Sequence, residues 1–219
     1  MAYRPAGQVF DRAEDGSFVL NDAGREVMGT ISAETDGFSK VRPFKIPEQD
    51  FGTGGGFVNY KNKDTVYVDP LAPTPHVLAH EAAHSQAPIE LNKTFADTIM
   101  THGSPYKPDE MLPENVPNKA AGLRYAYEKE VIPVMLEEAN AQGIARATTE
   151  HLGYGNAERP GHQDHDNLEY PLTYGDRFLA DKADHNVFDD TYRKELWRIK
   201  GNMRGRAERQ YETGKDYLH

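Results

Sequence analysis

At 219 residues the chain is long enough for one domain with a substantial core, or one domain with an appendage. Its formal net charge of −10 excludes a protein that grips nucleic acid by neutralising phosphates, which needs a basic face. It has no cysteine, which excludes disulfides and thiolate metal ligands, and no apolar run approaches the roughly 18 residues of a membrane span.

The N-terminal segment, residues 1–50, reads as a β-rich covering layer. Met1 to Pro5 lack the apolar stretch of a secretory signal, so a cytoplasmic or assembly-associated protein is expected. Gln8-Val9-Phe10 and Ser17-Phe18-Val19-Leu20 flank Glu14-Asp15-Gly16, a hairpin with an Asp-Gly turn. Asn21 to Ser32 reads as a short capped helix with Val27, Met28 and Ile31 on one face. Phe38 to Ile46 reads as extended and interrupted by Pro43. The glycine cluster Gly52 to Gly56 lacks the Gly-Lys-Ser/Thr ending of a phosphate loop and precedes a strand, so a turn or lip is expected. Phe57 to Tyr60 and Thr65 to Val68 alternate around a polar turn as a second hairpin. A strand entering the next helix would offer a peptide a pairing edge, if that edge were free.

That helix carries the chemistry. His80-Glu81-Ala82-Ala83-His84 sets two imidazoles one turn apart on a single face, where both can reach one cation. Glu81, beside the first, can hydrogen-bond a water held there. The spacing is the H-E-x-x-H of zinc metalloproteases. Thr74 supplies an N-cap, Pro75 suits the first helical position, and Pro88 ends the run.

Downstream, Leu91 to Ile99 reads as a short helix and His102 to Pro117 as a Pro-rich connection. Asn118 to about Gly153 is a long helical segment bent at Pro133. Gly155 to Tyr174 reads as a polar loop. Thr191 to Tyr211 closes the chain as a helix, amphipathic through Leu196, Trp197 and Met203 and weakened by Gly201 and Gly205. Arg193 to Arg209 carries seven Lys or Arg against two Glu and reads as a solvated helix face, with an anionic docking surface as the alternative.

Catalytic zinc takes three protein ligands, so a third is needed. Glu90 stands where a metzincin has its third histidine, and Ala87 replaces the expected glycine. Glu138 lies in an apolar helical stripe with Val134, Met135, Ala141 and Ala145, where a carboxylate needs a cation, whereas Glu137 looks solvated. His162 and His165, with Asp164 and Asp166, form a further histidine pair that would supply a ligand or a second site. Glu138 is the preferred third ligand.

The pattern His80-Glu81-x-x-His84, followed on a later helix by Glu138-Ala139-Asn140-Ala141, resembles the gluzincin metallopeptidases over residues 57–145. The gap of 54 residues from His84 to Glu138 exceeds the thermolysin-like spacing and is nearer that of the long-gap members of that group. The resemblance implies Zn2+ held by His80, His84 and Glu138, with Glu81 as general base and a peptide or protein as substrate. It also implies a Tyr or His as oxyanion donor, for which Tyr170, Tyr174, His162 and His165 are available. Asn140 and Asp97 are options for orienting the ligand histidines.

The expected fold is α+β and zincin-like: a small sheet or hairpin layer on the active-site helix, then a mainly helical C-terminal half. The segments are 1–50 as cover, 51–153 as metallopeptidase core, and 154–219 as a loop with a helical appendage. No nucleic acid and no membrane is expected as partner. The alternative function is a structural protein of a larger assembly, such as a phage particle or injection machine, with a metal-stapled or vestigial site.

Overall fold

The computed structural model describes residues 8–33, 40–43, 56–58, 65–68, 74–84, 119–154, 168–183 and 190–216. Within them the chain is mostly helical with small sheets, an α+β protein in the coarse sense. Among the described residues no helix is long and apolar enough to cross a membrane. Contacts divide the chain into two compact units that are discontinuous in sequence.

The first unit begins with strands β1 (Phe10–Arg12) and β2 (Phe18–Leu20), paired antiparallel with Asp11 opposite Val19. The Asp15 carboxylate accepts from the backbone N–H and hydroxyl of Ser17, and Gly16 takes φ +82°, which a glycine adopts without strain. Helix α1 (Asp22–Ala33) starts where the Asn21 side chain accepts from Gly24 N–H at 3.0 Å, and it buries Val27 and Ile31 completely.

Strands β3 (Lys40–Pro43), β4 (Gly56–Val58) and β5 (Thr65–Val68) form a sheet in the order β3-β5-β4. The expected β4–β5 hairpin forms, with Phe57 opposite Tyr67. β3 then adds to β5 in parallel, so β5 is the central strand and neither of its edges is open to a peptide. The sequence could not reveal this, because a parallel pair joins residues far apart in the chain. Helix α2 (Pro75–Ala83) lays Leu78, Ala79 and Ala82 into a core with Val66, Val68, Val27 and Ile31. Ala145, from helix α4 (Ile132–His151), joins the same core. The Tyr154 hydroxyl, just past α4, donates to Glu26 of α1 at 2.7 Å.

The second unit holds α3 (Lys119–Ala126), a π-helical turn (Tyr127–Val131), α4 up to Ala139, α5 (Glu169–Ala183), and α6 (Asp190–Lys215) up to Tyr211. The irregularity expected at Pro133 is this π-turn, in which Ile132 N–H reaches back to the Tyr127 carbonyl. Proline has no N–H to donate and its ring crowds the carbonyl four residues back, so the helix widens just before it. Helix α5 occupies part of the stretch read as a loop. Pro171 falls in its first turn, where no backbone N–H is needed. On α6 the buried face runs through Ile199, Met203, Ala207 and Tyr211, while Trp197 is 72% exposed and lies off it. The short helix expected over Leu91 to Ile99 lies outside the described residues.

Two substitutions test this packing. In the first unit a Cβ on Gly214 would stand 2.3 Å from the Asn140 carbonyl oxygen, whereas at Gly205 the nearest atom is Arg209 Nη1 at 3.6 Å. Alanine gains about 0.5–1 kcal/mol over glycine within a helix. Gly205→Ala should show that gain in urea unfolding, and Gly214→Ala should instead lose about 1–3 kcal/mol to backbone displacement.

In the second unit Glu195, 6% exposed, accepts from Arg124 at 2.9 and 3.0 Å and from Arg198 at 2.9 and 2.6 Å. Those bonds, Arg124 foremost, hold its carboxyl down at about 2. A folded value below the ordinary 4.5 means stabilisation that is full at neutral pH and fades as pH falls through 4.5 toward 2. Both arginines are half-exposed, so Glu195→Gln should cost only about 1–2 kcal/mol at pH 7, with the gap to wild type closing in acid.

Candidate metal centre

Helix α2 forms where Thr74 caps it, its hydroxyl accepting from Val77 N–H at 3.3 Å, with Pro75 at the first helical position. Every residue from Pro75 to Ala83 except Val77 is buried. The alanines bring neighbouring backbone close: Ala83 packs on Ala141 and Ile144 of α4. One turn apart on that helix, His80 Nε2 and His84 Nε2 stand 3.1 Å from each other, their rings edge to face at 89°.

Glu138 completes the group. Ligand atoms of His80, His84 and Glu138 all lie within 4.8 Å of one another, and all three residues are buried. Glu138 precedes Ala141 on the same uninterrupted helix, so the packing of Ala141 and Ile144 also fixes where its carboxylate goes.

The donor set fits zinc. Two imidazole nitrogens on one tetrahedral zinc, at about 2.0–2.1 Å from the ion, stand about 3.3 Å apart, close to the separation here. The exposures of 8%, 5% and 5% for His80, His84 and Glu138 place a carboxylate where bulk water hardly reaches it, a setting that suits a bound cation. Glu81 is 8% exposed on the same turn of α2.

No family model, no curated protein and no solved structure matches the chain.

Among the further sequence-derived residues, Tyr174 meets the centre directly: its hydroxyl donates to Glu138 Oε1 at 3.3 Å. That leaves Tyr170 as donor across the 3.0 Å contact between the two tyrosines, a relay from Tyr170 through Tyr174 to the carboxylate. Burial first, then the Glu138 charge, pushes the Tyr174 hydroxyl far above its ordinary range, so it stays protonated. Glu137, expected in solvent, is instead 1% exposed, because the close packing around α4 covers both of its neighbouring acids. Glu90, Asp97, His162, Asp164, His165 and Asp166 lie outside the described residues.

The sequence reading passed over His76 and Gln142. Their side chains meet at 2.7 Å, His76 Nε2 to Gln142 Oε1, in the interior. His76, His80 and His84 repeat every four residues along α2, and Glu138 and Gln142 do the same on α4, a ladder visible in the sequence once the helices are paired. His76 pairs with Gln142, and the His80–His84 pair with Glu138, so the helices run in opposite directions. The His76–Gln142 rung fixes one helix along the other, one turn from the ligands.

Burial pulls the His76 imidazole down to about 4, against the raising effect of the Gln142 bond. The folded state thus refuses a proton that the unfolded chain takes near 6.5, and stability falls as pH drops below that value. Between pH 7.5 and pH 5 this group should remove about 2 kcal/mol. Urea unfolding with EDTA present should show a shallower pH slope in His76→Gln by that amount, and an unchanged slope would contradict the burial of a neutral His76.

Proposed function

We propose that the chain is a zinc-dependent peptidase on a zincin-like scaffold. The observation that carries this reading is the convergence of His80, His84 and Glu138 on one buried point, with Glu81 on the adjoining position of α2. When bound, zinc supplies Lewis acidity, acidifying water and polarising a carbonyl.

The chain's own groups supply the rest. Glu81 accepts a proton from the attacking water and hands it to the departing amine. Glu138 is held in orientation by the Tyr174 hydroxyl, itself supported by Tyr170. Tyr174 stays protonated in its surroundings, and its one proton would reach a developing oxyanion only by turning away from Glu138. Since β5 is flanked on both sides, an extended peptide would add to the outer edge of β4, which among the described residues pairs only with β5.

A second reading draws on the burial of all three ligand residues, which suits a metal that staples the fold of a structural or assembly protein.

Metal analysis of the purified protein, joined to a peptide-library assay, separates the two. The peptidase should hold one zinc per chain, and Glu81→Gln should retain it while losing at least about 100-fold in cleavage. Glu138→Ala should weaken zinc binding by at least about tenfold. Zinc held with no cleavage by wild type favours the staple, and absence of zinc removes both readings.

A further inference from the structure

Within the second unit, away from the metal ligands, lies a cavity of about 220 Å3 between the π-turn and α6. Its charged lining is Arg198, Arg206 and Arg209 against Glu128, with Tyr127 beside them. Three guanidinium groups line the cavity beside a single lining carboxylate, in a chain of net charge −10. These arginines belong to the basic stretch of α6, which the metal centre does not use.

The guanidinium groups are set in place by their acids. Arg206 gives only Nη1 to Glu128, at 2.9 and 3.0 Å, so among the described residues its Nε–Nη2 edge has no partner. That edge is the planar fork that grips an oxyanion with two parallel hydrogen bonds. Arg198 is anchored through Nε and Nη2 on Glu195, which leaves Nη1. Tyr127 is 1% exposed, and among the described residues its buried hydroxyl has no hydrogen-bond partner, a costly arrangement for a donor. Burial chiefly pushes that hydroxyl up to about 12, while Arg206 and Arg198 draw it down and Glu128 raises it, so it lies within the field of the cavity's charges.

The space itself comes from glycine. A Cβ on Gly201 would meet nothing within 4 Å, and one on Gly205 would meet only Arg209 Nη1 at 3.6 Å. Glycine weakens an exposed helix without packing reason, and here the open volume over two glycines is lined by arginine. The opposite wall is the π-turn, a helical irregularity that recurs at binding sites.

We propose that this cavity is an oxyanion site for a phosphate group, as the free ion or as the head of a small molecule. Arg206 is the bidentate donor, and Arg198 and Arg209 flank it. The cavity's size and the strongly acidic chain favour a small ligand over a nucleic-acid strand.

Thermal unfolding of the full chain, with inorganic phosphate compared to sodium chloride at equal ionic strength, provides the test. Phosphate at ten times its dissociation constant or more should raise Tm by about 3 °C or more. Gly201→Leu places a side chain into open space on a helix, so it should fold and yet lose the shift. Arg206→Gln should reduce phosphate affinity about tenfold or more. A sugar phosphate giving a larger shift than phosphate identifies a small-molecule source, and an equal shift identifies the free ion. A shift matched by chloride, or undiminished in Gly201→Leu, overturns the site. So does binding of a single-stranded oligonucleotide without any response to phosphate.

Discussion

Polar side chains buried between α2 and α4 are the constraint around which the described site is organised. Glu138 and the two imidazoles occupy positions that solvent hardly reaches, and an ionised carboxylate there needs compensation on the scale of several kcal/mol. Alanine makes the arrangement possible. Ala79 and Ala82 of α2 share a core with Ala145, and Ala83 sits on Ala141 and Ile144. Larger side chains at these positions would hold the helices apart and spread the ligand atoms beyond the reach of one ion.

Around this contact, polar side chains fix what packing alone would leave free to slide. The His76–Gln142 bond sets the rise of α2 along α4, and Tyr174 sets the rotation of the Glu138 carboxylate. Neither bond costs the interior a net charge: His76 stays neutral down to about pH 4, and Tyr174 stays protonated. Upstream, the π-turn lets α3 and α4 follow one another across Pro133 without placing the ring against a carbonyl, which keeps the residues after it in regular helix.

What the sequence disclosed follows the range of the interactions. The histidine helix was legible because its cap, its proline and its i, i+4 spacing are all local, and the Asp-Gly hairpin for the same reason. Glu138 was legible through its apolar helical neighbours. The neighbour test failed for Glu137, since a helix packed on more than one side buries residues that periodicity assigns to solvent. The central position of β5 depends on a parallel partner, and the contact of Tyr174, already a candidate donor, with Glu138 depends on a helix in a stretch that read as a loop; neither leaves a local trace. Trp197 misled for a related reason. Its size suggested a core residue, while the buried stripe of α6 passes through smaller side chains at Ile199, Met203 and Ala207.

Glu81 is where the two readings of the centre part physically. A metal that only staples α2 to α4 is served by His80, His84 and Glu138, and a second buried carboxylate beside them adds desolvation without adding a ligand. Stability alone would favour an apolar residue at that position, as at its neighbours Ala79, Ala82 and Ala83. Under the proposed peptidase reading an acid at that position has a task, proton transfer, for which proximity to the ligands and shielding from bulk water are advantages. The cost of burying Glu81 therefore weighs toward the peptidase.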